Sequence, residues 1–358
     1  MARILVLYDK WMRENAQEMW RTAFDEAKID EEHELVFTEN IPGSYKWSSE
    51  VFDNVKEANG NPDYIKEKIA GCEAVVSGYA PFTSEIMEAS EELRIIGISR
   101  GGPVNADHDA ATQLGIKILR AVGRNAESVA DQTLGFVISE SRFISRHNHE
   151  VKTGKYFEKL ESEGRSSFLA AFNWMELNGK TLGLIGYGQV GTRVAKRAHA
   201  FGMKVIVFDP YIDAAILEGE GCARVELVNL LETSDFISIH AKLTPETHHM
   251  INDETLAMMK RKAVLINTAR GSIIDEEALY RALTNGVIAS AALDVFEEDP
   301  IKQDNPLIQL DNVTITPHSA GRSPDTEMRG YRQVALQVAV YLRGEEIKPM
   351  YVSNKAVL

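Results

Sequence analysis

One stretch constrains the fold more than any other: Lys180-Thr181-Leu182-Gly183-Leu184-Ile185-Gly186-Tyr187-Gly188-Gln189-Val190-Gly191, together with the run from there to Asp209. Residues 181–185 are apolar and bounded by glycine, the pattern of a strand buried in a parallel sheet. Gly186, Gly188 and Gly191 then spell G-x-G-x-x-G, and residues 192–200 continue with helical character. A second apolar run, 203–208, stops at Asp209, 18 residues beyond Gly191. Gly186 suits a tight turn, Gly188 lets the backbone approach a pyrophosphate, and Gly191 lets helix and strand pack closely. Phosphates belong on the helix N-terminus, where unpaired N–H groups and the dipole favour anions, and Asp209 is placed to accept bonds from a ribose diol. The glycine motif alone is a weak signal; with strand, helix and terminal acid in order it reads as a dinucleotide site. An acid here repels a 2′-phosphate, and Pro210-Tyr211 follows rather than an arginine, so NAD is favoured over NADP.

At 358 residues the chain is long enough for about two domains. The net charge of −14 argues against nucleic acid or an anionic membrane surface as a partner. Cys72 and Cys222 are far apart and have no metal-ligand spacing, so they read as small buried apolar residues, and no metal is expected. Residues 1–7 run directly into Tyr8-Asp9-Lys10 as a first strand rather than a signal peptide. No apolar run approaches the ~20 residues that span a bilayer. A cytoplasmic location is the expectation.

The first part alternates strands at 4–7, 34–38, 74–77, 94–99 and 116–119 with helices at 12–28, 63–69, 84–89 and 107–114. That rhythm predicts a parallel sheet. Residues 40–61 break it with Pro42-Gly43, Gly60 and Asn61-Pro62, and read as an inserted loop whose Tyr45, Lys46 and Trp47 have no assigned role. One long helix is expected over 125–149, capped by Asn125, joining the first alternating unit to the second. Residues 151–172 are polar and read as a solvated, irregular excursion. The second unit continues with a helix around 227–232, a strand at 236–240, a strand at 263–267, a helix at 275–283, and strands at 287–293 and 313–316. With 181–185 and 203–208 that makes six strands, a doubly wound dinucleotide domain. A last helix over 325–343 has Val334, Val338 and Tyr341 on one face and is expected to return to the first domain, making that domain discontinuous. No appended regulatory domain is expected.

Three polar residues follow apolar strands in the second half, at the strand ends where ligands bind in open parallel sheets. Arg270 follows 264–269, Asp294 follows 289–293 with Asp299 just beyond, and His318 follows 313–317. A lone charged residue after a strand is ordinarily a solvated cap; three beside a dinucleotide loop suggest chemistry. A histidine can protonate the oxygen charge left by hydride transfer to a 2-oxo acid. An arginine can hold a carboxylate in its planar fork, and a carboxylate beside the histidine favours the imidazolium.

These segments resemble the D-isomer-specific 2-hydroxyacid dehydrogenases, the family of the phosphoglycerate, formate, glyoxylate and D-lactate dehydrogenases. The resemblance is carried by residues 179–191, Asn-Thr-Ala-Arg-Gly at 267–271, Ala-Leu-Asp-Val-Phe-Glu-Glu-Asp-Pro at 292–300 and Thr-Pro-His-Ser-Ala-Gly at 316–321. His240 with 243–247, and residues 123–131, match more weakly. The resemblance implies an α/β chain of two doubly wound parallel-sheet domains: a central NAD-binding Rossmann domain at 122–321, and a flavodoxin-like substrate domain from 1–121 and 322–358. It implies that Arg270 binds substrate, His318 is the acid/base and Asp294 contacts the nicotinamide amide. It further assigns NAD contacts to Gly186, Gly188, Gln189, Val190, Gly191, Asp209, Pro210, His240, Ala241, Lys242, Thr247, Thr268, Ala269, Asp294, His318, Ala320 and Gly321. Substrate contacts fall on Gly78, Tyr79, Ala80, Arg100, Gly101, Gly102 and Arg270. The substrate is expected to be a small 2-hydroxy or 2-oxo acid, and the assembly a homodimer.

Two departures from the family pattern stand out. The histidine's partner is normally a glutamate and here is Asp299, one methylene shorter, so a longer or water-bridged contact to His318 is expected. The loop 77–82 binds the substrate carboxylate through backbone N–H groups in the family, and carries arginines where the substrate is phosphorylated. Ser77 and Tyr79 stand there instead, which leaves Arg100, Arg120 and Arg124 as candidate anion sites. A dehydrogenase of a phosphorylated or sugar-derived acid is therefore one alternative, and an NAD(H)-sensing corepressor-like binding protein is another.

Overall fold

The computed structural model describes residues 1–29, 32–43, 51, 53–166 and 174–358. The chain divides into two units, one of Met1–Asn125 with Ser323–Leu358 and the other of Ala126–Arg322. Each is built on one parallel sheet covered by helices.

Unit 1 contains β1 (Arg3–Tyr8), β2 (Glu34–Glu39), β3 (Ala74–Ser77), β4 (Ile95–Ile98) and β5 (Lys117–Arg120). They lie in the order β2-β1-β3-β4-β5, all parallel. Ile4, Leu5, Val6 and Leu7 are all buried, as the unbroken apolar run of a strand covered on both faces requires. The order reverses direction between β1 and β3, and the loops leaving those two strands meet at the carboxyl edge. Helix Pro324–Leu342 starts at Ser323, whose Oγ accepts from Thr326 N at 3.0 Å, a sound N-cap with proline at the first turn. Its buried Tyr331 stacks on Trp20, centroids 4.2 Å apart, and Val334 reaches Gly97 of β4 so closely that a Cβ there would lie 2.5 Å from it.

Unit 2 contains β6 (Thr181–Ile185), β7 (Lys204–Phe208), β8 (Cys222–Arg224), β9 (Phe236–Ile239), β10 (Val264–Asn267), β11 (Ser290–Leu293) and β12 (Val313–Ile315). The order is β12-β11-β10-β9-β6-β7-β8, again parallel throughout. Both units are doubly wound α/β folds, with order reversing in unit 2 between β6 and β9.

Three expectations need correction. Unit 2 has a seventh strand, β8, too short at three residues to show a period of two. The helix expected over 125–149 is two helices, Ala126–Arg142 and Ile144–Thr153. Phe143 stands between them at φ 55°, a left-handed conformation that interrupts the i→i−4 ladder and turns its ring against Trp174, centroids 5.4 Å apart. The stretch after 151 is helical as far as Glu163 rather than irregular; Lys159 Nζ donates to the buried Glu150 at 2.7 Å and ties the second helix down. Residues 167–173, like Tyr45, Lys46 and Trp47, lie outside the described residues. Among the described residues no helix is long and apolar enough to cross a membrane. Cys72 and Cys222 are free and buried, and burial pushes both thiols up.

Candidate active site

The glycine loop of unit 2 has the geometry that its spacing implies. Gly186 leaves β6 at φ +96°, and a Cβ on it would sit 2.8 Å from the backbone of His240 and Ala241, so only glycine fits. Gly191 approaches within 2.5 Å of the Gly186 carbonyl by the same measure, while nothing stands within 4 Å of the Cβ direction of Gly188. Helix Gln189–Ala200 begins there with no side-chain cap. Its first N–H groups are therefore available to an anion. Asp209, at the end of β7, accepts from Tyr187 N at 2.8 Å and Tyr211 N at 2.9 Å, one bond on each oxygen. A carboxylate offers about four acceptor positions, so two remain for a diol. The loop, the open helix end and the acid fit a dinucleotide.

Beyond β9 stands His240, whose Nε2 is 3.0 Å from Ser238 Oγ. Desolvation by burial pushes its pKa down to about 3, so the ring is neutral across the physiological range. The next turn is knotted by Thr247, whose Oγ1 donates to the Lys242 carbonyl at 2.6 Å and accepts from Thr244 N at 2.8 Å. Thr268, after β10, is buried against Thr133, oxygens 3.1 Å apart.

Arg270 is aimed by its own strand end. Asn267 accepts from Ala269 N at 3.0 Å and donates to the Arg270 carbonyl at 2.9 Å, closing the turn. Gly271 then passes so near Phe296 that a Cβ would overlap its carbonyl carbon at 1.8 Å; the loops after β10 and β11 are locked together there. The guanidinium of Arg270 is exposed, donates to its neighbour Ala269 O at 2.6 Å, and forms no salt bridge among the described residues.

Asp294 is 1% exposed, and the loop after β12 uses both its oxygens. Oδ1 accepts from Thr316 Oγ1 at 2.5 Å and Ser319 N at 2.9 Å, and Oδ2 from Ala320 N at 2.9 Å. These bonds bracket His318, which stands at φ +51°. Nδ1 of His318 contacts Asp299 Oδ2 directly. The longer or bridged contact expected of the shorter acid does not occur. Glu297, two residues earlier, is held by His249 Nε2 at 2.7 Å, and its N–H donates to Glu276 at 2.6 Å. Sequence reasoning missed this clamp, because its members are scattered and ordinary by type.

In unit 1 the carboxyl edge carries Asp9, Asn40, Ser77 to Ala80 and Arg100 to Gly102. Buried Asp9 accepts from Asn40 Nδ2 at 2.7 Å and Gly78 N at 3.2 Å. Burial pushes its carboxyl up to about 6 against those hydrogen bonds. The N–H groups of Tyr79 and Ala80 donate to Ser77 Oγ at 3.3 and 3.2 Å. Arg100 is not an isolated cation: it pairs with Glu57 and lies 5.3 Å over the Tyr79 ring. Arg120 donates to the Met350 carbonyl at 3.0 Å. Nothing stands within 4 Å of the Cβ direction of Gly102, whereas a Cβ on Gly101 would lie 3.5 Å from the Ala121 carbonyl oxygen.

Residues 134–320 match the family described as D-isomer specific 2-hydroxyacid dehydrogenase, NAD binding domain. The chain is 37% identical over 302 residues to a glyoxylate reductase of Korarchaeum cryptofilum, covering 84% of this chain and 89% of that one. It belongs to the D-isomer-specific 2-hydroxyacid dehydrogenase family. The cofactor of its Rossmann unit is NAD. A D-3-phosphoglycerate dehydrogenase of Methanocaldococcus jannaschii is 40% identical over 299 residues, 83% of this chain. The chain spans only 55% of that relative's length. Among solved structures, the D-mandelate dehydrogenase of Rhodotorula graminis matches with TM-score 0.76 and 25% identity, covering 98% of this chain and 96% of that one.

Proposed function

We propose that this member of the dehydrogenase family interconverts a small D-2-hydroxy acid and its 2-oxo acid. The observation that carries the reading is the direct contact of His318 with Asp299, in the same unit as an exposed arginine and an intact dinucleotide loop. When bound, NADH supplies the hydride. Arg270 binds the substrate carboxylate through its planar fork. His318 delivers the proton to the oxo oxygen from Nε2, since Nδ1 is turned to Asp299. Asp299 orients the ring, while Asp294 fixes the loop that carries it. Asp209 favours NADH over NADPH.

The relatives include enzymes named for phosphorylated and for unphosphorylated acids. We further infer a homodimer, because Ile144, Val151 and Phe157 expose 53%, 47% and 54% of their surface on the two helices after Phe143. NADH oxidation by purified protein against glyoxylate, hydroxypyruvate, pyruvate, 2-oxoglutarate and 3-phosphohydroxypyruvate, with NADPH in parallel, tests the activity. Turnover of one acid with NADH is expected. Tight NADH binding with no turnover on any acid would favour a sensor instead.

A further inference from the structure

In unit 1 the sheet order reverses between β1 and β3, and Trp11 and Tyr79 stand on the loops leaving those two strands. Open parallel sheets receive ligands at such a point. The two rings meet edge to face with centroids 5.3 Å apart at 65°, and Arg100, after β4, lies over the Tyr79 ring at 5.3 Å from its centroid. The Arg100 side chain is only 12% exposed. Its Nη1 donates to the Glu57 carbonyl at 3.2 Å and its Nη2 to the Glu57 carboxylate. Glu57 is itself held in place: it stands at φ +51°, between Lys56 N, which donates to Val104 O at 2.9 Å, and Asn59 N, which donates to Tyr79 O at 2.8 Å. Asn59 O in turn accepts from Asn40 Nδ2 at 2.8 Å. The Arg100 guanidinium at this edge is therefore already matched by a carboxylate, with a second carboxylate, Asp9, beside Gly78. A further anion brought there meets no uncompensated positive charge from Arg100 and would have to break a charge-assisted pair to gain one.

We propose that Glu57 is a specificity-determining residue: by holding Arg100 it excludes 2-oxo acids with a second anionic group and leaves the Trp11–Tyr79 face to an uncharged substituent. The proposal rests on the dehydrogenase reading for its substrates, but its charge logic is independent of turnover. Glu57→Gln keeps the shape and removes the charge that neutralises Arg100.

The test compares kcat/KM for hydroxypyruvate and 3-phosphohydroxypyruvate with NADH in wild type, Glu57→Gln and Glu57→Gln/Arg100→Gln. The thermal shifts given to each protein by D-glycerate and by 3-phosphoglycerate, without cofactor, are measured alongside. Wild type should favour hydroxypyruvate at least about ten-fold, Glu57→Gln should move the ratio toward the phosphorylated acid by about ten-fold or more, and the double variant should lose that gain. An unchanged ratio in Glu57→Gln, or wild-type preference for the phosphorylated acid, overturns the proposal. If no variant turns over either acid, the dehydrogenase reading fails and the thermal shifts decide. A larger 3-phosphoglycerate shift in Glu57→Gln than in wild type then upholds the role of Glu57, and equal shifts overturn it. Should the variant melt too low for assay, the wild-type ratio alone decides in the same sense.

Discussion

Nδ1 of His318 meets Oδ2 of Asp299, 19 residues earlier in the chain, without an intermediary. The shorter acid reaches the ring because both partners are held from behind: His318 by the bonds of its loop to Asp294, and Asp299 by the Glu297–Glu276–His249 clamp just before it. With Nδ1 engaged, Nε2 is the ring atom that the proposed proton transfer uses.

Asp299→Asn should therefore act on the rate of reduction. The variant removes the carboxylate that meets Nδ1 and leaves the ring without the partner that orients it. Without it kcat/KM should fall about ten-fold or more. A kcat/KM equal to that of wild type would mean that Asp299 does not position the ring.

Asp294→Ala should cost stability and activity together. It leaves Ser319 N, Ala320 N and Thr316 Oγ1 without their acceptor, and each such loss in a buried setting costs about 1–3 kcal/mol. A net loss of about 2–4 kcal/mol in chemical denaturation is expected, with kcat falling as His318 loses its placement. A stable variant with normal kcat would show that the loop holds His318 by other means.

Asp9 predicts a stability effect of definite sign. Burial raises its carboxyl from the ordinary 3.8 to about 6, so the folded state keeps a proton that the unfolded state has already lost. Stability is then present below about pH 4 and is lost as pH rises through about 6. Asp9→Asn cannot ionise, and should gain on wild type between pH 4 and pH 7.5 by about 2–3 kcal/mol, since each pKa unit is worth about 1.36 kcal/mol. A gap between the two proteins that does not vary with pH would contradict this.

The sequence showed the site more fully on the sheet of unit 2 than anywhere else, for a physical reason. Gly186, Asp209, Arg270, Asp294 and His318 each follow an apolar run, so their placement at one carboxyl edge is a consequence of local pattern and parallel topology alone. Glu57, Trp11 and the Glu276–Glu297 clamp depend on which loops meet in space, and nothing local marks them. Phe143 looked like one more apolar position of a continuous helix, since a single left-handed residue does not change the periodicity on either side. Arg100 was visible as a cation at a strand end, but its neutralisation by Glu57 lay in the segment 40–61, where no period could place it.

The measurement that bears most directly on the central claim is NADH oxidation with glyoxylate and hydroxypyruvate by wild type and His318→Gln, with NADH affinity measured on the same samples by fluorescence. Wild type should turn over, and His318→Gln should lose at least about 100-fold in kcat. The two NADH affinities should lie within about three-fold of each other, a difference under about 1 kcal/mol. Comparable turnover by the two proteins, or a wild type that binds NADH and reduces neither acid, would contradict the assignment of His318 as the acid.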